Sequence, residues 1–369
     1  MKVLLVGNYE HDGSMSMKVW ANALSRELVL RGIEVERIAP RPLLGRLKPS
    51  AQGVGKWLGY LDRYLLFPAV LWRAARKADV VHICDHSYAM YTAFTGKTPT
   101  VVTCHDLLAV RGAMGEQTDC PASSFGKLLQ RAIVRGLEGA DKVACVSAYT
   151  YRDAQRLLHR TNHLEVVLNG LNYPFQPLDA EEIDRRLSGF EGLQQPFVLH
   201  IGSNLARKNR ESVLRVVAQL SGRKNLRVVF AGVPLNAELL ALAAQLGIED
   251  RVVQVARPDV QVLEALYNRA ALLMFPSRFE GFGWPPIEAQ ACGCPVVASN
   301  IPPAVEVLAG TAASFRPDDV PAMAGEAARL LDDAAYRAER RVQGFENVQM
   351  RFTLPRMIEA YIALYGEMR

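Results

Sequence analysis

The 369-residue sequence has no long apolar run. Its longest uninterrupted apolar stretch, 65–72, has eight residues and contains Pro68, whereas a helix that spans a bilayer needs about 20. The apolar run after Lys2 is too short for a signal peptide and is typical of a first strand. We therefore expect a cytoplasmic protein.

Motifs of several function classes are also missing. The 38 acidic residues include no Asp-x-Asp metal motif, and the six cysteines include no C-x-x-C pair. Cys292 and Cys294 have no nearby His or Cys that would complete a metal ligand set, so we expect buried thiols and no metal. Gly7 is followed by Asn8 and Tyr9, so the G-x-G-x-x-G fingerprint of NAD-dependent oxidoreductases is absent.

Charge is concentrated in one segment. The chain is 22% charged and half hydrophobic, which is a globular composition. Within 41–77 there are eight basic residues and a single acidic residue, Asp62, and aromatic residues are interspersed among them. The basic residues are Arg41, Arg46, Lys48, Lys56, Arg63, Arg73, Arg76 and Lys77. Two interpretations stay open: peripheral attachment to an anionic membrane surface, or a solvated helix face whose aromatics pack inward. No nucleic-acid-binding module is recognisable, and we expect no nucleic acid partner.

Short β-branched runs alternate with helical segments along the whole chain. This alternation predicts an α/β protein with two Rossmann-like, doubly wound domains and an interdomain cleft, since ligands collect at the carboxyl ends of parallel strands. A stretch rich in proline, glycine and acidic residues divides the two halves. The expected organisation is an N-terminal domain over 1–175, a linker over 176–195, a C-terminal domain over 196–350, and a final helix over 351–369 that packs back on the N-terminal domain.

The most informative run is 275–289, in which a strand end, a Gly-Phe-Gly turn and two prolines precede a helix. Proline is favoured in the first helical turn, and the exposed N–H groups of that turn bind anions such as a diphosphate. Glu280 lies on the loop and Glu288 one turn into the helix. Both carboxylates could accept hydrogen bonds from sugar or ribose hydroxyls.

This run resembles the retaining GT-B glycosyltransferases of family 4. Their E-x7-E signature is present as Glu280 through Glu288, within the longer pattern Pro-Ser-x-x-Glu-Gly-Phe-Gly-x-Pro-Pro-x-Glu-Ala, and the likeness continues through 291–300 and 305–307. The resemblance implies that Glu288 binds the donor ribose and that Glu280 contacts the transferred sugar or phosphate. It is specific over 197–310 and extends more weakly over the rest of the chain. The resemblance also implies that the N-terminal domain lies on the acceptor side and that the C-terminal domain binds the sugar nucleotide.

Two further segments match the same family. The run 200–209, with its Arg-Lys-Asn, implies that Arg207 and Lys208 stabilise the departing diphosphate in place of a metal. The run 100–107, which begins with a strand expected over 100–103, resembles the family's N-domain strand that ends in a His-Asp pair, and this implies that His105 contacts the transferred sugar. The first loop, 8–17, departs from the family pattern because it has one glycine instead of two.

The resemblance thus assigns a set of site residues. The catalytic residues are expected to be His105, Arg207, Lys208 and Glu280. The donor-binding residues are expected to be Gly13, Gly202, Ser203, Arg207, Lys208, Glu280, Gly281, Phe282, Gly283 and Glu288.

The implied activity is transfer of a hexose, with retention of configuration, from a nucleotide sugar to a hydroxyl of a glycan or glycolipid acceptor in cell-envelope polysaccharide synthesis. GDP-mannose is the first expectation for the donor and a UDP-sugar the alternative; no cofactor or metal is expected. Two other functions stay open at this point: a nucleotide-sugar 2-epimerase of GT-B fold and a non-catalytic sugar-nucleotide-binding protein.

Overall fold

The computed structural model describes residues 1–12, 15–47, 53–220, 222–223 and 225–368. The chain forms two compact units. The first unit consists of 1–172 together with 354–369, and the second of 173–353. Each unit has its own sheet and its own hydrophobic core.

The first unit is built on a six-stranded, fully parallel sheet in the order β2-β1-β3-β4-β5-β6. Its strands are β1 Lys2–Val6, β2 Glu34–Ile38, β3 Val80–Ile83, β4 Thr100–Cys104, β5 Lys142–Cys145 and β6 Leu164–Val166. Its helices are α1 Met15–Leu30, α2 Gly53–Leu61, α3 Phe67–Ala75, α4 Leu108–Ala113, α5 Ser124–Gly139, α6 Ala148–Leu157 and, from the end of the chain, α15 Leu354–Glu367.

The second unit has a six-stranded parallel sheet in the order β12-β11-β10-β7-β8-β9. Its strands are β7 Phe197–Gly202, β8 Arg227–Gly232, β9 Val252–Ala256, β10 Leu272–Phe275, β11 Val296–Ser299 and β12 Ala313–Phe315. Its helices are α7 Ala180–Leu187, α8 Arg210–Gln219, α9 Ala237–Gln245, α10 Val260–Arg269, α11 Trp284–Ala291, α12 Pro302–Leu308, α13 Val320–Asp332 and α14 Ala334–Arg351.

The strand orders confirm the predicted doubly wound α/β class. In each sheet the winding direction reverses once, between β1 and β3 in the first unit and between β7 and β10 in the second. The crevice outside the carboxyl ends at such a reversal is where open parallel sheets bind their ligands. The fold therefore prepares one ligand-binding crevice in each unit.

Helix α15 is attached to the first unit by a buried polar network. The Nδ1 of His82 lies 2.6 Å from the hydroxyl of Tyr365, and its Nε2 lies 2.7 Å from Oγ1 of Thr103. Thr103 is in turn 2.9 Å from the hydroxyl of Tyr361. Burial lowers the pKa of His82 to about 3, so its ring is neutral and one of its nitrogens accepts a hydrogen bond.

The division between the units falls after Asn172, and the stretch 176–195, expected to be a linker, contains α7. The side chain of Asp179 accepts a hydrogen bond from the N–H of Glu182 and caps this helix. Ile183 and Leu187 of α7 are buried. Arg186 binds Glu264 of α10 at 2.6 Å, so this stretch is part of the second unit.

None of the helices in the described part of the chain has the length and apolarity that crossing a membrane requires.

Candidate active site

The candidate donor site lies at the reversal of the second sheet. Strands β7 and β10 are hydrogen-bonded neighbours and end at Gly202 and Phe275. The loops that follow them therefore meet outside the same edge of the sheet. The N–H of Arg278 donates to the carbonyl of Arg207 at 2.7 Å and joins the two loops directly.

Two cations converge on Glu280. Lys208 Nζ lies 2.6 Å from Glu280 Oε1, and Arg207 Nη1 lies 3.0 Å from Oε2. Burial alone would raise the pKa of this carboxyl, but Lys208 and Arg207 outweigh it and hold the pKa below its ordinary value. Glu280 is thus ionised at neutral pH, and the cluster carries a net charge of +1 that favours an anionic ligand.

Asn209 and Arg210 fix the position of the two cations. Asn209 has φ +52°, a left-handed conformation that asparagine tolerates better than most residues. Its side-chain amide donates to the carbonyls of Pro276 at 3.0 Å and Pro317 at 2.8 Å. The guanidinium of Arg210, which is 3% exposed, donates to the carbonyl of Gly202 at 2.6 Å. The loop therefore has little freedom to move Lys208 away from Glu280.

Helix α11 begins beside this cluster at a glycine turn. Gly283 has φ +115°, which a residue with a Cβ rarely adopts. Gly283 is the N-cap residue and has no side chain with which to cap the helix, and Pro285 and Pro286 stand in the first turn. The ring of Phe282 is buried against Trp284 and Phe352, with ring centres 5.9 and 5.8 Å away. Because the ring is buried, Phe282 can contact a ligand only through its backbone.

Glu288 is the second carboxylate of the motif and is 7% exposed. Its Oε2 accepts a hydrogen bond from the hydroxyl of Tyr267 at 2.7 Å. Burial raises the pKa of Glu288 to about 7, although the bond from Tyr267 and the charge of Lys208 oppose the rise. The two glutamates of the motif thus differ in charge state, since one is held ionised and the other titrates near neutral pH.

The structure brings Arg207, Lys208 and Glu280 into direct contact and places Gly202 against the stem of Lys208. A Cβ added at Gly202 would lie 3.4 Å from Lys208 Cδ. Ser203 and Gly281 are half-buried in the same two loops. Gly13 lies outside the described residues.

His105 belongs to the first unit, where it follows β4. It is 6% exposed, its Nε2–H donates to the carbonyl of Cys84 at 2.9 Å, and its ring packs edge-on against Trp20 at 5.2 Å. Burial lowers the pKa of His105. Its contact with a transferred sugar stays a prediction.

Two residues of the site, Arg210 and Tyr267, were not predicted from the sequence. Arg210 directly follows the Arg-Lys-Asn run, so its position in that run was the available signal. Tyr267 lies on α10, 21 residues before its partner Glu288, and no local pattern connects the two. Within the described ranges, no three His, Cys, Asp or Glu side chains are grouped so that they could hold a metal ion.

Comparison with known proteins gives a match for each unit. The family described as Glycosyltransferase Family 4 matches residues 17–173, and the family described as Glycosyl transferases group 1 matches residues 184–346. Together the two matches cover most of the chain, and their boundary falls near the division between the units.

Individual relatives agree with this result. The D-inositol 3-phosphate glycosyltransferase of Corynebacterium glutamicum (strain R) is 26% identical over 324 residues, which is 78% of this chain and 76% of that protein. The serotype-specific mannosyltransferase WbdA of Escherichia coli is 27% identical over 280 residues, 71% of this chain and 33% of that protein. The crystal structure of Anabaena HepE in complex with UDP-glucose matches with a TM-score of 0.76 at 18% identity and covers 100% of both chains. The chain is therefore a member of the family 4 glycosyltransferases of GT-B fold.

Proposed function

We propose that the protein transfers a hexose, with retention of anomeric configuration, from a nucleotide sugar to a hydroxyl of a glycan or glycolipid acceptor in cell-envelope polysaccharide synthesis. The observation that carries the proposal is the convergence of Arg207 and Lys208 on Glu280 at the reversal of the second sheet. A site with net positive charge at this position suits the diphosphate of a nucleotide sugar.

Each residue of the cluster has a proposed role. Lys208 and Arg207 bind the diphosphate and stabilise the charge that develops on it as the sugar leaves, so that no metal is required. Glu280 is released from its two cations when the diphosphate binds, and it accepts hydrogen bonds from the transferred sugar. Glu288 accepts hydrogen bonds from the ribose.

Mannose is the proposed hexose and GDP-mannose the proposed donor. The likeness to the mannosyltransferase WbdA supports this choice. A UDP-sugar is the alternative, because HepE, which has the same fold, binds UDP-glucose. That likeness is at 18% identity and concerns the fold, so it weighs less.

Nucleotide release tests the activity. We expect GDP to form from GDP-mannose at a rate that rises with added acceptor, and EDTA to leave that rate within about twofold. Lys208→Ala should lower kcat about a hundredfold, as does the loss of other transition-state charge stabilisers. Arg269→Ala is the control, because it also removes a paired cation. Arg269 lies at the end of α10, just before β10, and therefore at the amino end of the strands, away from the site. An unchanged kcat in Lys208→Ala would refute the assigned role.

The proposal also places the enzyme peripherally at the inner face of the membrane, through 41–77. Four residues of α2 and the turn after it are exposed with helical spacing: Val54 at 59%, Trp57 at 57%, Leu61 at 41% and Leu65 at 67%. We call these four the apolar stripe. Four cations of the same segment are exposed as well: Lys56, Arg73, Arg76 and Lys77. Lys48 lies outside the described residues. Apolar and basic groups together on one exposed segment favour an anionic lipid surface.

Each of the two interpretations of this segment holds for some of its aromatic residues. Trp57 faces outward, whereas Tyr64 packs against the core of the first unit. Flotation with phosphatidylglycerol vesicles tests the attachment: we expect co-flotation at low salt, its loss at high salt, and its loss in Lys56→Ser/Arg73→Ser/Arg76→Ser/Lys77→Ser. Wild-type protein that ignores these vesicles at low salt would refute it.

A further inference from the structure

Tyr267 of α10 is fully buried, and its hydroxyl contacts the donor site. That hydroxyl donates to Oε2 of Glu288 at 2.7 Å. A phenol has a single hydrogen to donate, so this bond occupies it. Among the described residues, the other carboxylate oxygen of Glu288, Oε1, has no hydrogen-bond partner. Tyr267 therefore holds one oxygen of Glu288 in place and leaves the other for a ligand.

The segment that begins the second unit packs against Tyr267. Phe175 is buried, and its ring lies edge-on to the ring of Tyr267, with centres 5.8 Å apart and planes at 88°. The N–H of the next residue, Gln176, donates to Oε1 of Glu264 at 3.0 Å. Glu264 and Tyr267 are three positions apart on α10 and therefore share a face of the helix. This face fixes the tyrosine between the start of the unit and Glu288.

Three titratable groups in the described part of the chain interact with Glu288: Lys208 from the loop after β7, Tyr267 from α10, and Cys292 from α11 itself. Burial raises the pKa of Cys292 and of Tyr267 far above neutrality, and Lys208 is paired with Glu280. Burial also raises the pKa of Glu288 to about 7, and the bond from Tyr267 opposes that rise. Glu288 is therefore the member of this group whose charge changes near neutral pH.

We propose that Tyr267 is a positioning residue for the donor: it fixes one carboxylate oxygen of Glu288 so that the other accepts hydrogen bonds from the ribose. The inference rests on the proposed function, in which Glu288 binds the ribose. A charged acceptor makes a stronger hydrogen bond than a neutral one, so donor affinity should rise as Glu288 loses its proton. Loss of the Tyr267 hydroxyl withdraws a bond to the charged form and raises the pKa of Glu288. Donor affinity in such a variant should therefore rise only at higher pH.

The pH dependence of donor binding tests this role without any catalysis. Titration calorimetry with GDP-mannose and with UDP-glucose covers pH 6 to 8.5, a range in which the diphosphate of a sugar nucleotide keeps its charge. For the sugar nucleotide that binds more tightly, we expect the Kd of wild-type protein to fall about tenfold from pH 6 to 8.5, as Glu288 ionises. A wild-type Kd that is the same at both pH values would overturn the inference.

Removal of the Tyr267 hydroxyl is the direct test. Tyr267→Phe should raise the Kd about tenfold at pH 6 and less than about twofold at pH 8.5, because the midpoint of ionisation moves up by about one pH unit. Tyr336→Phe is the matched control, since the Tyr336 hydroxyl binds Glu326 at 2.7 Å between α13 and α14, and it should leave the Kd within about twofold at both pH values. An equal loss of affinity at the two pH values in Tyr267→Phe would show a merely structural role and overturn the inference.

Steady-state kinetics separate the ribose contact from the chemistry. Nucleotide release is measured at pH 7 in buffer alone and with decyl mannoside as acceptor. Tyr267→Phe should raise the KM for donor about fivefold and keep kcat within about twofold, because a contact with the ribose is the same before and during transfer; a lower kcat at unchanged KM would contradict the role. Wild-type protein that binds donor with the expected pH dependence but releases no nucleotide would refute the proposed transfer and leave the role of Tyr267 standing. If neither sugar nucleotide binds, both are refuted.

Two further variants keep the test informative if Tyr267→Phe does not fold. Phe175→Leu keeps an apolar side chain at a buried position but removes the ring that packs edge-on against Tyr267. We expect its Kd to rise about twofold or more at pH 6 and to match wild type at pH 8.5. Glu288→Gln has no proton to lose in this range, so its Kd should stay within about twofold from pH 6 to 8.5. An unchanged Kd in Phe175→Leu at pH 6, or a change of about tenfold across the range in Glu288→Gln, would overturn the inference.

Discussion

Replacement of Glu288 by glutamine should change how stability depends on pH. Glu288 is buried, and its pKa rises from its ordinary value of 4.5 to about 7 in the folded protein. The unfolded chain therefore loses this proton near pH 4.5, while the folded chain keeps it up to about pH 7. Because the folded state binds more protons in this window, the free energy of unfolding falls as pH rises through it.

The magnitude follows from the size of the pKa change. One pKa unit corresponds to about 1.4 kcal/mol, so Glu288 lowers the stability of the folded state by about 3 kcal/mol at pH 8, as an upper limit. Glutamine has nearly the same shape as the protonated acid, and its carbonyl can accept the hydrogen bond from Tyr267. Glu288→Gln should thus be nearly neutral at pH 5 and stabilising at pH 8.

Calorimetric unfolding at pH 5, 6, 7 and 8 measures the effect. A change of about 3 kcal/mol shifts the Tm of a unit of this size by about 6–12 °C, so the variant should exceed wild type by up to that amount at pH 8. Glu339→Gln, at an exposed position of α14, is the control. A Tm difference between Glu288→Gln and wild type that is the same at pH 5 and pH 8 would refute the reasoning.

Three further outcomes concern the loops of the same site. Asn209→Ala should destabilise the second unit by about 1–3 kcal/mol, since the carbonyls of Pro276 and Pro317 lose their donor; urea unfolding that matches wild type would contradict this. Gly283→Ala should cost about 1–3 kcal/mol at its left-handed φ and weaken donor-induced thermal stabilisation, whereas Gly325→Ala, in a helix, should do neither. Glu280→Ala should lower kcat by more than it raises the KM for donor, because its contact is with the transferred sugar, and steady-state kinetics with a changed KM alone would exclude that role.

Local sequence patterns were sufficient for most of the secondary structure. The first strand, predicted in the apolar run after Lys2, is confirmed as Lys2–Val6, and the strand predicted to end at the start of 275–289 is confirmed as Leu272–Phe275. Strand β12 was missed because its three residues are half-buried and too short to show a period. Helix α7 was missed although Asp179 and Glu182 give it a capping signal, because the surrounding prolines and glycines indicated a loop.

The residues of the candidate site were predictable where the sequence motif that identifies them lies within one short run. Glycine, proline and glutamate at fixed spacing in 275–289 identify a turn that leads into a helix, and the turn's backbone and carboxylates follow from local chemistry. That run and its family likeness singled out Glu280 and Glu288. Lys208 was chosen from a separate run in the same way.

What the sequence by itself determined is the class of the fold, the family and the motif residues, since each depends on neighbours within about 15 positions. Only the tertiary structure decided that Lys208 and Arg207 pair with Glu280, that Tyr267 reaches Glu288, and that Trp57 faces outward while Tyr64 packs inward. Such contacts and orientations depend on the order of the strands in the sheet and on which face of each helix packs against the core. Neither is encoded in local spacing, because the partners are brought together by the burial of the whole unit.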